Sequence, residues 1–158
     1  MPDPYSIAAI KKQLGVCTAP ELKALCLRMA KYKKENKELL AYLLFKADDQ
    51  ESYVSESKEA ITQILEDIQP HTPFYYCKKT IRKALAATNK QIKYSDSKQA
   101  EAELLLHFCL QLKQRKLIWR GSTTLSNLYD RTVAKAKKAV AKLHDDLQYD
   151  YKSILDKI

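Results

Sequence analysis

The scarcity of glycine constrains this chain more than any other feature, because only Gly15 and Gly121 occur in 158 residues. Glycine supplies the positive φ angles that tight hairpin turns and phosphate-binding loops require. Two isolated glycines form neither of the common glycine-rich nucleotide loops. They also leave little material for a β-sheet. The sequence therefore predicts an all-α protein and argues against enzymes that depend on such a loop.

The length predicts a single domain over residues 1–158, which is large enough to fold without a metal ion or a disulfide. A hydrophobic content of 46% with 30% charged residues is typical of globular proteins. The start of the chain lacks the basic end and apolar run of a secretory signal. Its longest strongly apolar stretch, residues 39–45, is far too short to cross a membrane. We therefore expect a cytoplasmic protein with no membrane segment.

Apolar residues recur at helical spacing in about seven segments. The first predicted helix covers residues 6–14 and ends at Gly15. Thr18 and Glu21 have the spacing of a capping box at the start of the second. Asn36 is expected to cap the third helix. Thr72 is expected to cap the fifth, just before Pro73.

The sixth predicted helix ends at Gly121, and Ser122 caps the seventh, which is expected to continue to the C-terminus with a kink near Asp145. Short links between successive helices favour antiparallel hairpins. Pairing helices two with three, four with five and six with seven gives either an α-α superhelix or a compact helical bundle. Residues 39–45 and 104–110 are apolar nearly all round, so the third and sixth helices are expected to pack centrally beside each other.

The chain has few groups suited to catalysis or to metal binding. Its four cysteines form no Cys-x-x-Cys pair, and Cys26, Cys77 and Cys109 lie on apolar helical faces, where we expect buried thiols. Glu103 and His107 are one helical turn apart, but they do not form the Glu-x-x-His pattern of carboxylate metal sites. We expect no metal ion and no cofactor. An enzyme with a cleft site near His107 and Glu103 remains the remote alternative.

Charge is distributed unevenly along the sequence. Residues 48–67 hold one basic and seven acidic side chains, whereas residues 70–143 hold sixteen basic and four acidic ones. The first basic cluster surrounds Tyr32 and consists of Arg28, Lys31, Lys33, Lys34 and Lys37. The second follows Tyr75 and Tyr76 and consists of Lys78, Lys79, Arg82 and Lys83. The third surrounds Trp119 and consists of Lys113, Arg115, Lys116 and Arg120. The last helix adds a basic stripe of Arg131, Lys135, Lys138 and Lys142.

Basic side chains beside aromatic ones suit a nucleic-acid surface, because cations neutralise phosphates and aromatic rings stack on unpaired bases. The first and third clusters also lie at predicted helix C-termini, where cations favour the helix dipole whatever the function. The second cluster lies in the first half of its helix, where the helix dipole does not favour cations.

These observations rank three functions. The first is a non-enzymatic helical interaction module, an adaptor or scaffold that binds a protein partner. The alternative is a domain that binds RNA or DNA through the second and third clusters, and the remote alternative is the enzyme near His107. Patches of opposite charge steer association, so the acidic fourth helix is expected to pair with a basic face of the same molecule or of a second copy. Pairing with a second copy would give a homodimer.

Overall fold

The computed structural model describes residues 5–118 and 121–158. These residues form eight helices and no strand, which confirms the predicted all-α class with one helix more than expected. The helices are α1 (Ile7–Leu14), α2 (Ala19–Tyr32), α3 (Lys34–Phe45), α4 (Gln50–Glu66), α5 (Phe74–Ser95), α6 (Lys98–Gln114), α7 (Thr123–Ala141) and α8 (Asp145–Leu155). Within the described residues, no helix is both long enough and apolar enough to span a lipid bilayer.

The chain divides into two compact units, an N-terminal unit of Met1–Phe45 with α1–α3 and a C-terminal unit of Lys46–Ile158 with α4–α8. The predicted hairpins are confirmed within these units, because α2 packs on α3, α4 on α5 and α6 on α7. The prediction of one domain over residues 1–158 stays a prediction, and each unit is described by itself below.

In the N-terminal unit, local capping contacts set the helix boundaries. The Ser6 side chain accepts from the backbone N–H of Ala9 at the start of α1. Thr18 caps α2 as predicted, since its Oγ1 accepts from the N–H of Glu21 at 3.3 Å. The predicted cap at Asn36 is wrong because α3 already begins at Lys34. The Asn36 amide instead donates to the carbonyl oxygen of Met29 at 2.9 Å, which joins α2 to α3.

In the C-terminal unit, hydrogen bonds between distant residues fix the helix directions. The hydroxyl of Tyr53, near the start of α4, donates to the carbonyl oxygen of Gln91, near the end of α5, at 2.7 Å. These two helices are therefore antiparallel. Lys58 of α4 contacts Glu103 of α6 at 3.1 Å, one turn before the contact of Thr62 with His107, so α4 and α6 are parallel.

Helix α6 is the centre of the C-terminal unit, as its apolar sequence predicts. It packs against α4, α5, α7 and α8. Leu104, Leu106, Phe108 and Cys109 are at most 1% exposed. Small residues of α6 and α7, Ala102 and Ala136 among them, lie in the core that these helices share with α8.

The same reasoning is wrong for α3. Among the described residues of the N-terminal unit, only Tyr42 is buried, whereas Leu43, Leu44 and Phe45 are 57%, 63% and 77% exposed. The apolar pattern of residues 39–45 therefore predicts a burial that these side chains do not have. Cys26 in α2 is likewise exposed and not buried as predicted.

Cys77 and Cys109 are buried, as predicted. Burial raises the pKa of the Cys109 thiol to about 12 and also raises the pKa of Cys77. Both thiols are therefore protonated at neutral pH, which suits a place in an apolar core.

Three other predicted boundaries in the C-terminal unit are wrong. Helix α5 begins after Pro73 without a side-chain cap, because the Thr72 hydroxyl accepts from the N–H of Gln69 instead. Helix α6 ends at Gln114 and not at Gly121. The expected kink near Asp145 is a complete break, and it separates α7 from α8.

Candidate interaction surfaces

The second basic cluster lies on the first half of α5. Lys79, Arg82 and Lys83 are exposed, while Lys78 is half-buried. Exposed Tyr75 and Tyr76 precede them, with their rings edge to face at a centroid distance of 5.3 Å. The cluster is thus a solvent-facing combination of aromatic rings and cations, as the sequence indicates.

The third basic cluster is only partly available to a ligand. Lys113 is exposed in the last turn of α6, but Arg115 is half-buried. The Nε of Arg115 donates to Gln111 Oε1 at 3.0 Å, and its Nη2 lies 3.7 Å from Glu66 Oε1 of α4. Arg115 therefore links the ends of α4 and α6.

The remaining members of this cluster lie beyond the end of α6. Lys116 is exposed and has a left-handed φ of 56°. Trp119 and Arg120 lie outside the described residues. Because α4 is parallel to α6 and antiparallel to α5, the second cluster and the described members of the third, Lys113, Arg115 and Lys116, occupy the same end of the C-terminal unit.

The basic stripe of α7 borders a groove that the sequence did not reveal. Arg131, Lys135, Lys138 and Lys142 are all exposed. Arg131 and Lys135 line a groove of about 280 Å³ whose other wall is α5. Because α5 and α7 are not consecutive in the chain, no sequence pattern indicates that they line the same groove.

The first basic cluster contributes two residues to an apolar groove in the N-terminal unit. Its five members are all exposed. Leu25, Met29 and Tyr32 follow one another at helical spacing along α2 and line a groove of about 440 Å³, whose lining also includes Arg28 and Lys31. Leu25, Met29 and Tyr32 are 43%, 64% and 80% exposed.

Exposed apolar side chains are concentrated in the N-terminal unit. Thirteen large apolar residues in its described part are exposed, against four in the described part of the much longer C-terminal unit. Single exposed apolar residues are ordinary, but a concentration of them marks an interaction surface. The apolar residues of α2 and α3 are therefore the strongest candidate for a binding site.

A polar cluster around Glu103 cross-links three helices of the C-terminal unit. Glu103 Oε2 pairs with Lys58 Nζ of α4 at 3.1 Å, and Oε1 accepts from the hydroxyl of Tyr151 of α8 at 2.6 Å. Burial raises the pKa of Glu103, but the hydrogen bonds from Tyr151 and Lys58 outweigh it and hold the pKa below its ordinary value. Burial and the bond to Glu103 raise the pKa of Tyr151 to about 12. Each oxygen of the carboxylate therefore has a protein partner.

His107 is likewise engaged by its neighbours. Its Nε2 lies 2.9 Å from Thr62 Oγ1 and 3.1 Å from the carbonyl oxygen of Lys58. A carbonyl only accepts, so Nε2 carries the proton. Burial and the nearby charge of Lys58 lower the pKa of His107 to about 4. The neutral imidazole therefore ties α6 to α4.

The stability of the protein should accordingly fall as the pH drops from 6.5 towards 4. In this range the unfolded chain protonates His107 at its ordinary pKa of 6.5 while the folded protein does not. We expect a loss of about 1–2 kcal/mol, reduced from the full shift because the ring is partly exposed. Urea denaturation at several pH values measures it. The free energy of unfolding of the His107→Gln variant should fall less over the same pH range. Equal losses in the wild type and the variant would contradict this assignment.

No group of three or more His, Cys, Asp or Glu side chains among the described residues is arranged to hold a metal ion. Comparison with protein-family models, with curated proteins and with solved structures yields no match. The function is therefore inferred from the surfaces themselves.

Proposed function

We propose that this protein is a non-enzymatic interaction module whose α2–α3 hairpin binds a protein partner through its apolar surface. The observation that carries the proposal is the contrast between one buried side chain, Tyr42, and eight exposed large apolar side chains in α2 and α3. Burying apolar area is the main favourable term in protein association. A partner that covers this hairpin would remove that area from water.

The groove along α2 suggests the chemistry of the partner. Its apolar lining of Leu25, Met29 and Tyr32 suits an apolar stripe on the partner, such as one face of a helix. Arg28 and Lys31 in the same lining favour acidic residues beside that stripe.

Replacing Leu25 and Met29 together by serine should remove the partner from affinity purifications of the full chain. Their loss removes apolar contact area at the centre of the groove, where binding energy concentrates. We expect the recovered partner to fall at least about tenfold relative to the wild type. Quantitative mass spectrometry of the purified complexes measures it. The matched control replaces the exposed neighbours Lys23 and Ala24 by serine and should retain the partner.

Equal recovery of every associated protein with both double variants would refute this binding surface. Circular dichroism of the two variants must show the same helix content. Because all four positions are exposed, none of these changes should disturb folding.

Binding of single-stranded RNA or DNA is the second candidate function. It is favoured by exposed Tyr75 and Tyr76 beside Lys79, Arg82 and Lys83 on α5. Aromatic rings that stack on bases beside cations that contact phosphates characterise such surfaces. The ion pair of Arg115 with Glu66 makes the third cluster a weaker contributor.

A further inference from the structure

A second groove lies within the C-terminal unit, between α5 and α7. Leu85 and Asn89 form its α5 wall, and Leu105 of α6 contributes to its lining. Leu128, Arg131, Thr132 and Lys135 form its α7 wall. The groove has a volume of about 280 Å³, and its residues are separate from the N-terminal hairpin and from the Glu103 cluster.

The floor of this groove is apolar. Leu105 and Leu128 are only 2% and 8% exposed. Thr132 adds no free donor, because its hydroxyl donates to the carbonyl oxygen of Leu128 at 2.7 Å. Leu85 in the α5 wall is half-buried and is therefore the leucine that an occupant would contact, above a floor closed by Leu105 and Leu128.

The α7 rim of the groove is strongly basic. Arg131 and Lys135 are one turn apart, and Lys138 and Lys142 continue the stripe towards the end of α7. Within the described residues, no ion pair neutralises Arg131 or Lys135. Cations at spacings of four, three and four residues match carboxylates at the same spacings on a helix that runs alongside, since both helices rise about 1.5 Å per residue.

From this combination we propose that the α5–α7 groove binds an acidic amphipathic helix of a protein partner, as a second site beside the proposed hairpin surface. The apolar stripe of the guest helix lies against Leu85, over the floor formed by Leu105 and Leu128. Its acidic residues pair with the α7 stripe. The guest helix thus contacts both the half-buried Leu85 and the exposed cations of the α7 stripe.

Two other occupants fit these features less well. A nucleic acid would satisfy the cations but would leave Leu85 without an apolar partner. None of the described residues that line the groove is aromatic, so unpaired bases have no ring there on which to stack. Helix α4 of a second copy carries acidic residues, but its apolar residues Val54, Ile61 and Leu65 are buried in its own unit. It therefore offers charge without an apolar stripe.

Fluorescence anisotropy with the full-length protein tests this proposal. The probe is a labelled helical peptide of about 20 residues with a leucine stripe and glutamates at i and i+4. Control peptides carry lysine in place of glutamate, or serine in place of leucine. We expect each control peptide to bind at least about tenfold more weakly than the probe.

Reversing the two rim charges with Arg131→Glu and Lys135→Glu should weaken binding of the acidic peptide at least about tenfold. The lysine peptide should now bind this variant better than it binds the wild type. The matched control reverses Lys137 and Lys152, which are exposed and do not line the groove, and should change the affinity less than about twofold. Thermal melts followed by circular dichroism verify that both variants are folded.

Several results would overturn the proposal. One is that the acidic peptide does not bind, and another is that Arg131→Glu with Lys135→Glu leaves its affinity unchanged. A third is tighter binding of labelled single-stranded RNA that depends on the same two residues. Sedimentation that shows a dimer dissociated by this variant would assign the groove to a second copy instead. The proposed hairpin surface also favours an acidic helix, so the titrations are repeated in the Leu25→Ser with Met29→Ser background. Binding that persists there and is lost on adding Arg131→Glu with Lys135→Glu belongs to the α5–α7 groove, so failure of this site and failure of the hairpin surface are distinguishable.

Discussion

Replacing Phe108 by alanine should lower the free energy of unfolding by about 3–5 kcal/mol, the largest single effect that we expect in this protein. Phe108 is 0% exposed on the central helix of the C-terminal unit. Removing its ring sacrifices the transfer free energy of the apolar atoms and leaves a cavity that close-packed neighbours only partly fill. Urea denaturation followed by circular dichroism measures the change.

Phe74 provides a matched control for this substitution. It is 46% exposed at the start of α5, so Phe74→Ala removes the same atoms from a site already in contact with water. We expect a loss below about 1 kcal/mol. Equal losses for the two variants would show that α6 is not the core of its unit.

The second large effect concerns binding rather than folding. Replacing Leu44 and Phe45 by serine should weaken binding of the purified partner about 100-fold or more, because apolar anchors of an interface each contribute about 2 kcal/mol or more. Both side chains are more than 60% exposed, so the same variant should retain its stability within about 1 kcal/mol. Isothermal titration calorimetry and urea denaturation measure the two quantities on one preparation.

The control for this prediction lies on the same helix. Glu35 and Lys37 are exposed polar residues of α3, and replacing both by serine keeps the net charge unchanged. This variant should bind the partner within about threefold of the wild type. If the Leu44 and Phe45 variant binds equally well, α3 is not part of the interface. A large loss of stability in that variant would instead mean that these side chains belong to the protein's own core.

The contrast between α3 and α6 shows what helical periodicity predicts and what it leaves open. Residues 39–45 and 104–110 are both apolar nearly all round, and a helix of this kind requires cover on several sides. In α6 the cover comes from α4, α5, α7 and α8 of the same unit. In α3 the side chains of Leu43, Leu44 and Phe45 are exposed. The two patterns are alike but the burial differs, because an apolar pattern does not specify how much of a helix its own chain covers.

Local capping was only partly predictable for a similar reason. Thr18 has the expected capping role, since its partner Glu21 is three residues away. Asn36 and Thr72 have equally good capping side chains but use them elsewhere, in a link between α2 and α3 and in the loop before α5. In each case the side chain forms a different hydrogen bond, and the folded structure is needed to identify its partner.

The candidate surfaces were also only partly predictable from the sequence. Runs of basic residues are visible in the sequence, and the exposure of Lys79, Arg82 and Lys83 follows from their position on one helix. The ion pair between Arg115 and Glu66 joins residues that are distant in the chain. The α5–α7 groove likewise brings together three helices. Neither feature has a signal in local spacing.

Hydrogen–deuterium exchange of the full-length protein, alone and in complex with the partner recovered by affinity purification, tests the central claim most directly. An apolar hairpin that a partner covers should exchange rapidly in the free protein, because few of its side chains are buried. In the complex, we expect the amides of α2 and α3 to exchange at least about tenfold more slowly while those of α6 remain unchanged. Equally slow exchange of α2 and α3 in the free and bound protein would contradict the account.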